Sequence, residues 1–555
     1  MTPDELSAAV VAALREAVDV GDLSVPVPSH VTVERPKNRE HGDYATNVAL
    51  QLAKAAGKPP REVAQVLAGR LAEQTGVKSV EIAGPGFLNI TLDAAAQGEL
   101  ARTIVVDGER YGTSDVLRGR NINLEFVSAN PTGPIHIGGT RWAAVGDALA
   151  RILRAQGARV VSEYYINDAG VQIDKFAASL CAVANGRPVP DDGYVGEYIG
   201  DIAAQVVALR DGVLGLPEAE QLSVFREEGL RLMIEQIQES TESFGTHFDV
   251  WFSEKSLHDS GVVEQAIERL RAQGHVFERD GATWLRTTDF GDDKDRVLVK
   301  ADGDTTYFAS DAAYYLNKRD RGFMPLIYLL GADHHGYVGR LKTIAACAGD
   351  DMNKDIEVEI GQFVKMMKDG QEVKLSKRAG NIITLDDVVD WIGVDAARYA
   401  LTRQSVDSNI MLDVDVLTSK TNDNPVYYVQ YAHARISSVL RNAAELGIEK
   451  GSAAEFDPGL LVEDRESDLL GVLGEYPRVV ATAAELREVH RINRYLEEQL
   501  APAYHKFYDE CRILPNERFP LAPELTRARL WLAEAARTVL ANGLGLLGVS
   551  APERM

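Results

Sequence analysis

A loop rich in proline and glycine, SANPTGPIHIGGTRW at positions 128–142, combines residue types that can bind an anion. Its histidine, His136, can donate a hydrogen bond to a phosphate oxygen as negative charge develops there. Glycines let the backbone approach a ligand closely, and a helix that begins just after them directs unpaired amides at the anion. A short HxG pattern alone is more often an ordinary surface loop. The full segment predicts a phosphate-binding site formed by Pro131, Gly133, His136, Gly138, Gly139 and Thr140.

A second loop, KLSKRAGN at positions 374–381, lies in a later part of the same predicted fold. Its cations Lys374, Lys377 and Arg378 can close over the β- and γ-phosphates of a nucleotide and stabilise a leaving pyrophosphate. The alternative is a solvated basic turn, the usual interpretation of a short basic run. The order of the two loops favours the first interpretation, with Lys374 and Lys377 as catalytic residues and Lys377 in contact with ATP.

Both loops resemble the HIGH and KMSKS signatures of class I aminoacyl-tRNA synthetases. The ANPTGP that precedes His136 resembles the form typical of arginyl-tRNA synthetases, and the resemblance extends over the whole chain. It implies that the protein ligates L-arginine to its tRNA with ATP and Mg²⁺, through an enzyme-bound arginyl-adenylate, and releases AMP and pyrophosphate. The second signature histidine is Gly139 here. We expect the Gly139 and Thr140 amides, or the Thr140 hydroxyl, to supply the missing phosphate contact.

An arginine-selective site should present carboxylates, because a bidentate carboxylate matches the planar fork of a guanidinium. Glu125 on the first predicted strand and Asp311 in TTYFASDAAYY are the candidates. Asn130 follows Glu125 by five residues, and Tyr307 precedes Asp311 by four, which is about one helical turn. The resemblance assigns these four residues to the arginine pocket. The alternatives are a paired structural carboxylate at Glu125 and a helix cap at Asp311.

The segment ADHHGYVGR (332–340) directly follows a predicted strand, where ligands of open α/β folds bind. Adjacent histidines point in different directions, and no further ligand stands at a usual spacing, so we expect no metal site here. Asp333 and His334 are instead candidate substrate contacts, with His334 assigned to arginine. The three cysteines form no CxxC pair, which argues against zinc and against a disulfide framework.

Two flanking regions resemble tRNA-binding parts of the same family. REHGDYATNVALQLAK (39–54) and GPGFLNITL (84–92) resemble its N-terminal domain, which contacts the tRNA elbow, and they offer Tyr44, Asn47 and Phe87 for stacking or base hydrogen bonds. NPVYYVQYAHARISSVLR (424–441) resembles the start of its anticodon-binding domain, where Tyr431 and Arg435 are the candidate tRNA contacts. The alternative is that these aromatic side chains, including Tyr427 and Tyr428, belong to a core.

The candidate residues require a scaffold, and the pattern around them predicts one. INLEFVS, the helix that follows the loop and RVVSEYYI form a strand–loop–helix–strand unit of the nucleotide-binding type, and LIYLLGAD begins a similar later unit. We therefore predict an α/β, Rossmann-type catalytic domain at 111–395, with a helical insertion at about 168–290. An N-terminal α+β domain at 1–110, a connecting helical segment at 396–424 and an all-α domain at 425–555 complete the chain.

Composition sets the remaining expectations. The 555 residues carry a formal net charge of −24, which leaves room for a local basic patch that binds tRNA. No apolar stretch approaches the roughly 20 residues of a membrane span, and the N-terminus lacks the features of a signal peptide. We expect a cytoplasmic protein without a membrane partner, and the family implies a monomer. Rival hypotheses are a synthetase for another amino acid, lysine above all, and a catalytically silent RNA-binding protein.

Overall fold

The N-terminal part of the chain folds around its own core. A computed structural model describes residues 1–36, 38–373 and 382–555. The first elements are α1 (Pro3–Asp19), β1 (Tyr44–Thr46), α2 (Val48–Ala56), α3 (Pro60–Ala72), β2 (Val77–Ala83), β3 (Phe87–Leu92) and α4 (Ala94–Asp107). Thr2 caps the start of α1, because its hydroxyl accepts a hydrogen bond from the Glu5 amide and the Glu5 carboxylate accepts one from the Thr2 amide. The strands form an antiparallel sheet in the order β1-β3-β2.

The central part is a parallel sheet with helices packed against it. Its elements are β4 (Asn121–Glu125), α5 (Ile137–Ala155), β5 (Arg159–Ile166), α6 (Val171–Ala184), α7 (Glu197–Leu209), α8 (Glu218–Ser243), β6 (Val250–Ser253), α9 (Glu254–Asp259), α10 (Val262–Ala272), β7 (Val276–Arg279), β8 (Ala282–Leu285), β9 (Arg296–Val299), α11 (Tyr307–Asp320), β10 (Leu326–Gly331), α12 (Val338–Cys347), β11 (Ile356–Gly361), β12 (Val364–Lys368), β13 (Gln371–Glu372), α13 (Leu385–Ile392), α14 (Val394–Thr402), β14 (Ile410–Asp413) and α15 (Val414–Thr418).

Five parallel strands form the main sheet in the order β11-β10-β4-β5-β6. From β4 the chain runs outward through β5 to β6, and later returns to place β10 on the other side of β4. The strand order therefore reverses between β4 and β10. Ligands of open α/β sheets bind at the carboxyl ends of the strands at such a point. Glu125 ends β4 and Gly331 ends β10 at this edge.

The structure differs from the sequence prediction in three segments. The predicted helical insertion at 168–290 contains β6, which is an edge strand of the main sheet, and the β7–β8 hairpin, which continues into β9. The predicted helical connection at 396–424 contains β14, which pairs with β12. The N-terminal domain predicted at 1–110 includes α4, but the apolar face of α4 packs into the larger core beside the C-terminal helices. Short strands with partners far along the chain leave little periodic signal in the sequence.

The C-terminal part is helical. It consists of α16 (Pro425–Glu445), α17 (Asp464–Gly474), α18 (Tyr476–Leu486), α19 (His490–Tyr495), a π-helical turn at Leu496–Leu500, α20 (Ala501–Glu510) and α21 (Pro523–Leu546). It is joined to the central part by Arg398 of α14, a fully buried side chain that pairs with Asp147 of α5 and donates to the Leu547 carbonyl at 3.1 Å. Among the residues described, none of the helices combines the length and the apolar character that crossing a membrane requires.

Candidate active site

His136 lies at the N-cap of α5, where its ring folds back onto the helix. Its Nδ1 accepts the Gly138 amide at 3.1 Å. A neutral imidazole whose Nδ1 accepts a hydrogen bond carries its proton on Nε2, so the tautomer that fits this geometry donates from Nε2. A Cβ added at Gly138 would lie 2.9 Å from His136 Cε1. Glycine at 138 is therefore what permits the ring to adopt this position.

Gly139, which stands where the signature has its second histidine, faces an apolar wall. A Cβ added there would lie 2.8 Å from Ile135 Cγ2 and 3.6 Å from Val127 Cγ1, so a side chain does not fit without movement. Thr140 is fully buried, and both its amide (3.0 Å) and its hydroxyl (3.2 Å) donate to the His136 carbonyl. Thr140 is not placed for the predicted phosphate contact, because helix formation already uses both donors. The Gly139 amide is the remaining candidate.

The backbone between β4 and this loop is strained. Val127 and Ser128 have φ values of 68° and 42°, a region that costs non-glycine residues of order 1–3 kcal/mol each. Strand β5 holds the strained turn in place: the Tyr164 hydroxyl donates to the Ala129 carbonyl at 3.0 Å and accepts the Ala129 amide at 3.1 Å. The strain redirects the chain at the end of β4, next to the site where the strand order reverses.

The predicted lysine loop, with Lys374, Lys377 and Arg378, lies outside the described residues. Its two flanks are described. The β12–β13 hairpin leads into it, and after it the chain runs beside the histidine loop, where the Ile137 amide donates to the Ile383 carbonyl at 3.0 Å and the Leu385 amide donates to the Ile135 carbonyl at 2.8 Å. The residues that follow the lysine loop therefore contact the backbone on either side of His136.

Asp311, on α11, has a buried carboxylate oxygen without a hydrogen bond. Its Oδ2 is inaccessible to solvent and has no hydrogen-bond partner among the residues that the structure describes. Burial, together with the nearby Glu254 and Glu125 carboxylates, raises the pKa of Asp311 well above its usual range, although Arg340 opposes the shift. Buried polar groups in proteins are almost always paired. A cationic ligand would pair this oxygen, which makes it the strongest indication of a guanidinium site.

Glu125 differs from Asp311 because it already has a partner. Its Oε2 accepts Lys318 Nζ at 2.5 Å and its Oε1 accepts the Ser128 hydroxyl at 3.1 Å. Lys318 is fully buried, and burial lowers its pKa although Glu125 and Glu163 raise it. The structure thus agrees with the alternative of a paired structural carboxylate. It also leaves Glu125 close enough to Asp311 to influence its charge state.

A third carboxylate in the pocket, Glu254, escaped the sequence analysis. It begins α9 directly after β6, is 3% exposed and hydrogen-bonds with the Tyr165 side chain on β5. Burial raises its pKa to about 6; Tyr165 opposes the shift, and Asp168 adds to it. The signal that would have revealed it is the position of Glu254 at the carboxyl end of a parallel strand, which required β6 to be recognised as part of the sheet.

The other predicted pocket residues are exposed. Tyr307 is in the first turn of α11 and is 69% exposed, one helical turn before Asp311. Asn130 is exposed in the loop after β4. His334 is exposed in a 3-10 helix, Ala332–Tyr337, that follows β10, whereas the side chain of Asp333 lies outside the described part. Glu125 and Glu254 lie close enough to Asp311 to act on its charge, whereas Tyr307, Asn130 and His334 are exposed.

The structure separates the predicted N-terminal tRNA contacts. Phe87, the first residue of β3, is 41% exposed and is not part of the N-terminal core. Asn47 is half-buried, and its Oδ1 accepts Gln51 Nε2 at 3.0 Å. Tyr44 is 3% exposed within the N-terminal core, so its predicted contact with tRNA is wrong: it is on the buried face of its strand.

The predicted anticodon-binding residues form an aromatic cluster on α16 and α20. Tyr431 is 38% exposed and stacks on Tyr427 with ring centroids 6.0 Å apart. Arg435 lies over the Tyr508 ring at 3.9 Å, and Tyr428 packs against His505 with ring centroids 5.2 Å apart. Tyr431 offers an exposed stacking face for an unpaired base, whereas Arg435 is already engaged with an aromatic ring.

In the described ranges, no group of three or more His, Cys, Asp or Glu side chains is arranged to hold a metal ion.

Comparisons with known proteins match every part of the chain. Three family models match: "Arginyl tRNA synthetase N terminal domain" at residues 4–92, "tRNA synthetases class I (R), catalytic domain" at 218–434 and "DALR anticodon binding domain" at 429–555. The chain is 61% identical to an arginine--tRNA ligase of Frankia alni and 59% identical to one of Kineococcus radiotolerans, with 100% of both chains covered in each case. A solved arginyl-tRNA synthetase of Thermus thermophilus has a similar fold, with 22% identity, 100% coverage of both chains and a TM-score of 0.76.

Proposed function

The chain belongs to the arginyl-tRNA synthetases and charges tRNA with arginine at the expense of ATP, and on this premise we propose that the reaction runs through an enzyme-bound arginyl-adenylate and releases AMP and pyrophosphate. The orphaned Oδ2 of Asp311, near Glu125 and Glu254, supports the first requirement of this reaction, a site for the arginine side chain. Lys318 pairs with Glu125, so the carboxylates of Asp311 and Glu254 remain to receive the donors of a guanidinium. These two carboxylates therefore hold the arginine side chain.

Arginine is selected over lysine by geometry. A guanidinium presents five donors in a fixed plane, and a carboxylate that accepts two of them is matched in shape as well as charge. Asp311 supplies this carboxylate, and Glu254 accepts a further donor once its proton has left. A lysine ammonium has three donors on a point charge and leaves acceptors in the pocket unpaired. Tyr307 and Asn130 contact the stem and the α-amino end of the substrate.

ATP binds as its magnesium complex to the loop before α5. His136 donates from Nε2 to a phosphate oxygen, and the Gly139 amide, at the positive end of α5, donates to the same region. The arginine carboxylate then attacks the α-phosphorus in line, forming the mixed anhydride while the bond to pyrophosphate breaks. Lys374 and Lys377 of the lysine loop stabilise the charge on the departing pyrophosphate. Catalysis is mainly positioning and charge stabilisation.

Transfer to tRNA completes the reaction. The 2′-hydroxyl of the terminal ribose attacks the arginyl carbonyl, AMP departs with the bridging oxygen, and the ester bond to tRNA forms. Phe87 contacts the tRNA elbow, and Tyr431, whose ring stacks on Tyr427, contacts the anticodon. We also propose that the enzyme works as a monomer in the cytoplasm, which size-exclusion chromatography and cell fractionation test.

The adenylate is tested by ATP–pyrophosphate exchange, with arginine or lysine, in the presence and absence of the arginine tRNA. The proposal expects exchange with arginine and none with lysine, and the family resemblance adds that exchange needs tRNA. Exchange with lysine but not arginine overturns the assignment of the pocket. An absence of exchange in an enzyme that still forms arginyl-tRNA overturns the adenylate. Exchange without tRNA contradicts only the inherited dependence on tRNA.

A further inference from the structure

Tyr198, in the first turn of α7, contacts the nucleotide loop from outside the main sheet. Its hydroxyl donates to the Thr132 carbonyl at 3.0 Å, although the two residues are 66 positions apart in the chain. Its ring lies against the next residue, Gly133, where an added Cβ would be 3.2 Å from Tyr198 Oη and 3.4 Å from its Cζ. One side chain therefore holds two successive loop residues, four and three positions before His136.

The frame that presents Tyr198 is fixed. Ile199, Ile202 and Val206 of α7 are buried in the same core as the main sheet. The segment before α7 is tied back to α6, because the Tyr194 amide donates to the Ser179 hydroxyl at 2.8 Å and the Tyr194 hydroxyl donates to Gln172 Oε1 at 2.5 Å. A hydrogen bond from such a frame restricts the loop more than one from a mobile side chain would.

The same frame comes close to a predicted arginine contact at a different residue. Gly170, directly before α6, is near Tyr307: an added Cβ at Gly170 would be 3.4 Å from Tyr307 Oη. The unit formed by α6 and α7 thus contacts the nucleotide loop through Tyr198 and approaches Tyr307 at Gly170. Removing the Tyr198 hydroxyl alters the first contact and leaves the second in place.

We propose that Tyr198 is a positioning residue for ATP. Its hydrogen bond to Thr132 holds the loop in the position in which His136 and the start of α5 face the phosphates. Thr132 is 6% exposed, so without Tyr198 its carbonyl must move toward water to regain a partner. ATP would then have to order the loop as it binds, which lowers its affinity. The inference rests on the proposed role of the loop in ATP binding.

The test is Tyr198→Phe, which keeps the ring on Gly133 and removes the donor. Aminoacylation kinetics should show a kcat/KM for ATP lowered about fivefold, the effect expected for one net hydrogen bond. The KM for arginine should not change, because the substitution leaves Gly170 and the neighbouring Tyr307 in place. Tyr495→Phe is the matched control: it removes a hydroxyl that likewise donates to a backbone carbonyl, that of Val472 at 2.9 Å in the C-terminal helices, and it should leave the ATP parameters unchanged.

The outcomes separate the inference from the proposed function. Unchanged ATP parameters in Tyr198→Phe overturn the positioning role, provided that the wild type exchanges pyrophosphate with arginine and His136→Ala does not. Equal losses for ATP and arginine, with a lower melting temperature, also overturn it, because they indicate a general structural defect. A wild-type enzyme that shows no exchange under any condition overturns the proposed function and this inference together.

Discussion

Substitution of Asp311 by asparagine separates a binding role from a structural one. In the free enzyme its Oδ2 is buried, has no partner in the described part of the chain and faces the carboxylates of Glu125 and Glu254. Asp311→Asn therefore breaks no bond to Oδ2 and removes a repelled charge. When arginine binds, however, it loses a hydrogen bond between charged groups, worth about 2 kcal/mol, which corresponds to about a 30-fold weaker interaction.

We expect Asp311→Asn to raise the KM for arginine about 30-fold, to leave the KM for ATP unchanged and not to lower the melting temperature. The assay is aminoacylation at varied arginine, with thermal unfolding of the same preparation. Asp350→Asn is the matched control: this carboxylate accepts the Tyr315 hydroxyl at 2.7 Å and pairs with Arg319 at 2.9 Å, so the control should lose stability and keep its arginine KM. An unchanged arginine KM in Asp311→Asn, or a loss of stability equal to that of the control, refutes the reasoning.

Three further predictions follow from the same geometry. Because burial raises the pKa of Glu254 to about 6, arginine must displace a proton below that pH; the arginine KM should fall as pH rises through this value, and Glu254→Gln should reduce the slope in a pH series of kinetics. Gly139→Ala places a Cβ 2.8 Å from Ile135 Cγ2, so the free energy of unfolding should fall by about 1–3 kcal/mol. Calorimetry should show this as a lower melting temperature. Phe87→Ala should raise the KM for tRNA about fivefold, equivalent to the lower end of a stacking interaction, without changing the arginine KM, whereas Tyr44→Ala should lower stability.

Local patterns in the sequence predict the elements around the nucleotide loop. The strand before it and the helix after it follow from neighbouring residues, because strand–loop–helix units are decided over short distances. The sequence also predicts the acidic pair of Glu125 and Asp311, since Glu125 is the last residue of β4 and Asp311 is near the start of α11. Here the spacing of residue types carries the information.

The remaining features depend on partners far along the chain. Glu254 joins the pocket only because β6 pairs with β5, and the buried partner of Glu125 is Lys318, 193 residues away. The burial of Tyr44 is decided by which face of β1 packs into the N-terminal core, which an aromatic residue in a short strand does not reveal. The Thr140 donors are consumed by a helix that begins a turn earlier than predicted.

The central claim is that the carboxylate of arginine attacks the α-phosphorus of ATP. Aminoacylation of the arginine tRNA with arginine labelled with ¹⁸O in its carboxylate, followed by mass spectrometry of the products, tests it directly. The mechanism predicts one ¹⁸O atom in the AMP released, because the bridging oxygen of the adenylate leaves with AMP when the tRNA hydroxyl attacks. Unlabelled AMP, or ADP as the product, would contradict an arginyl-adenylate intermediate.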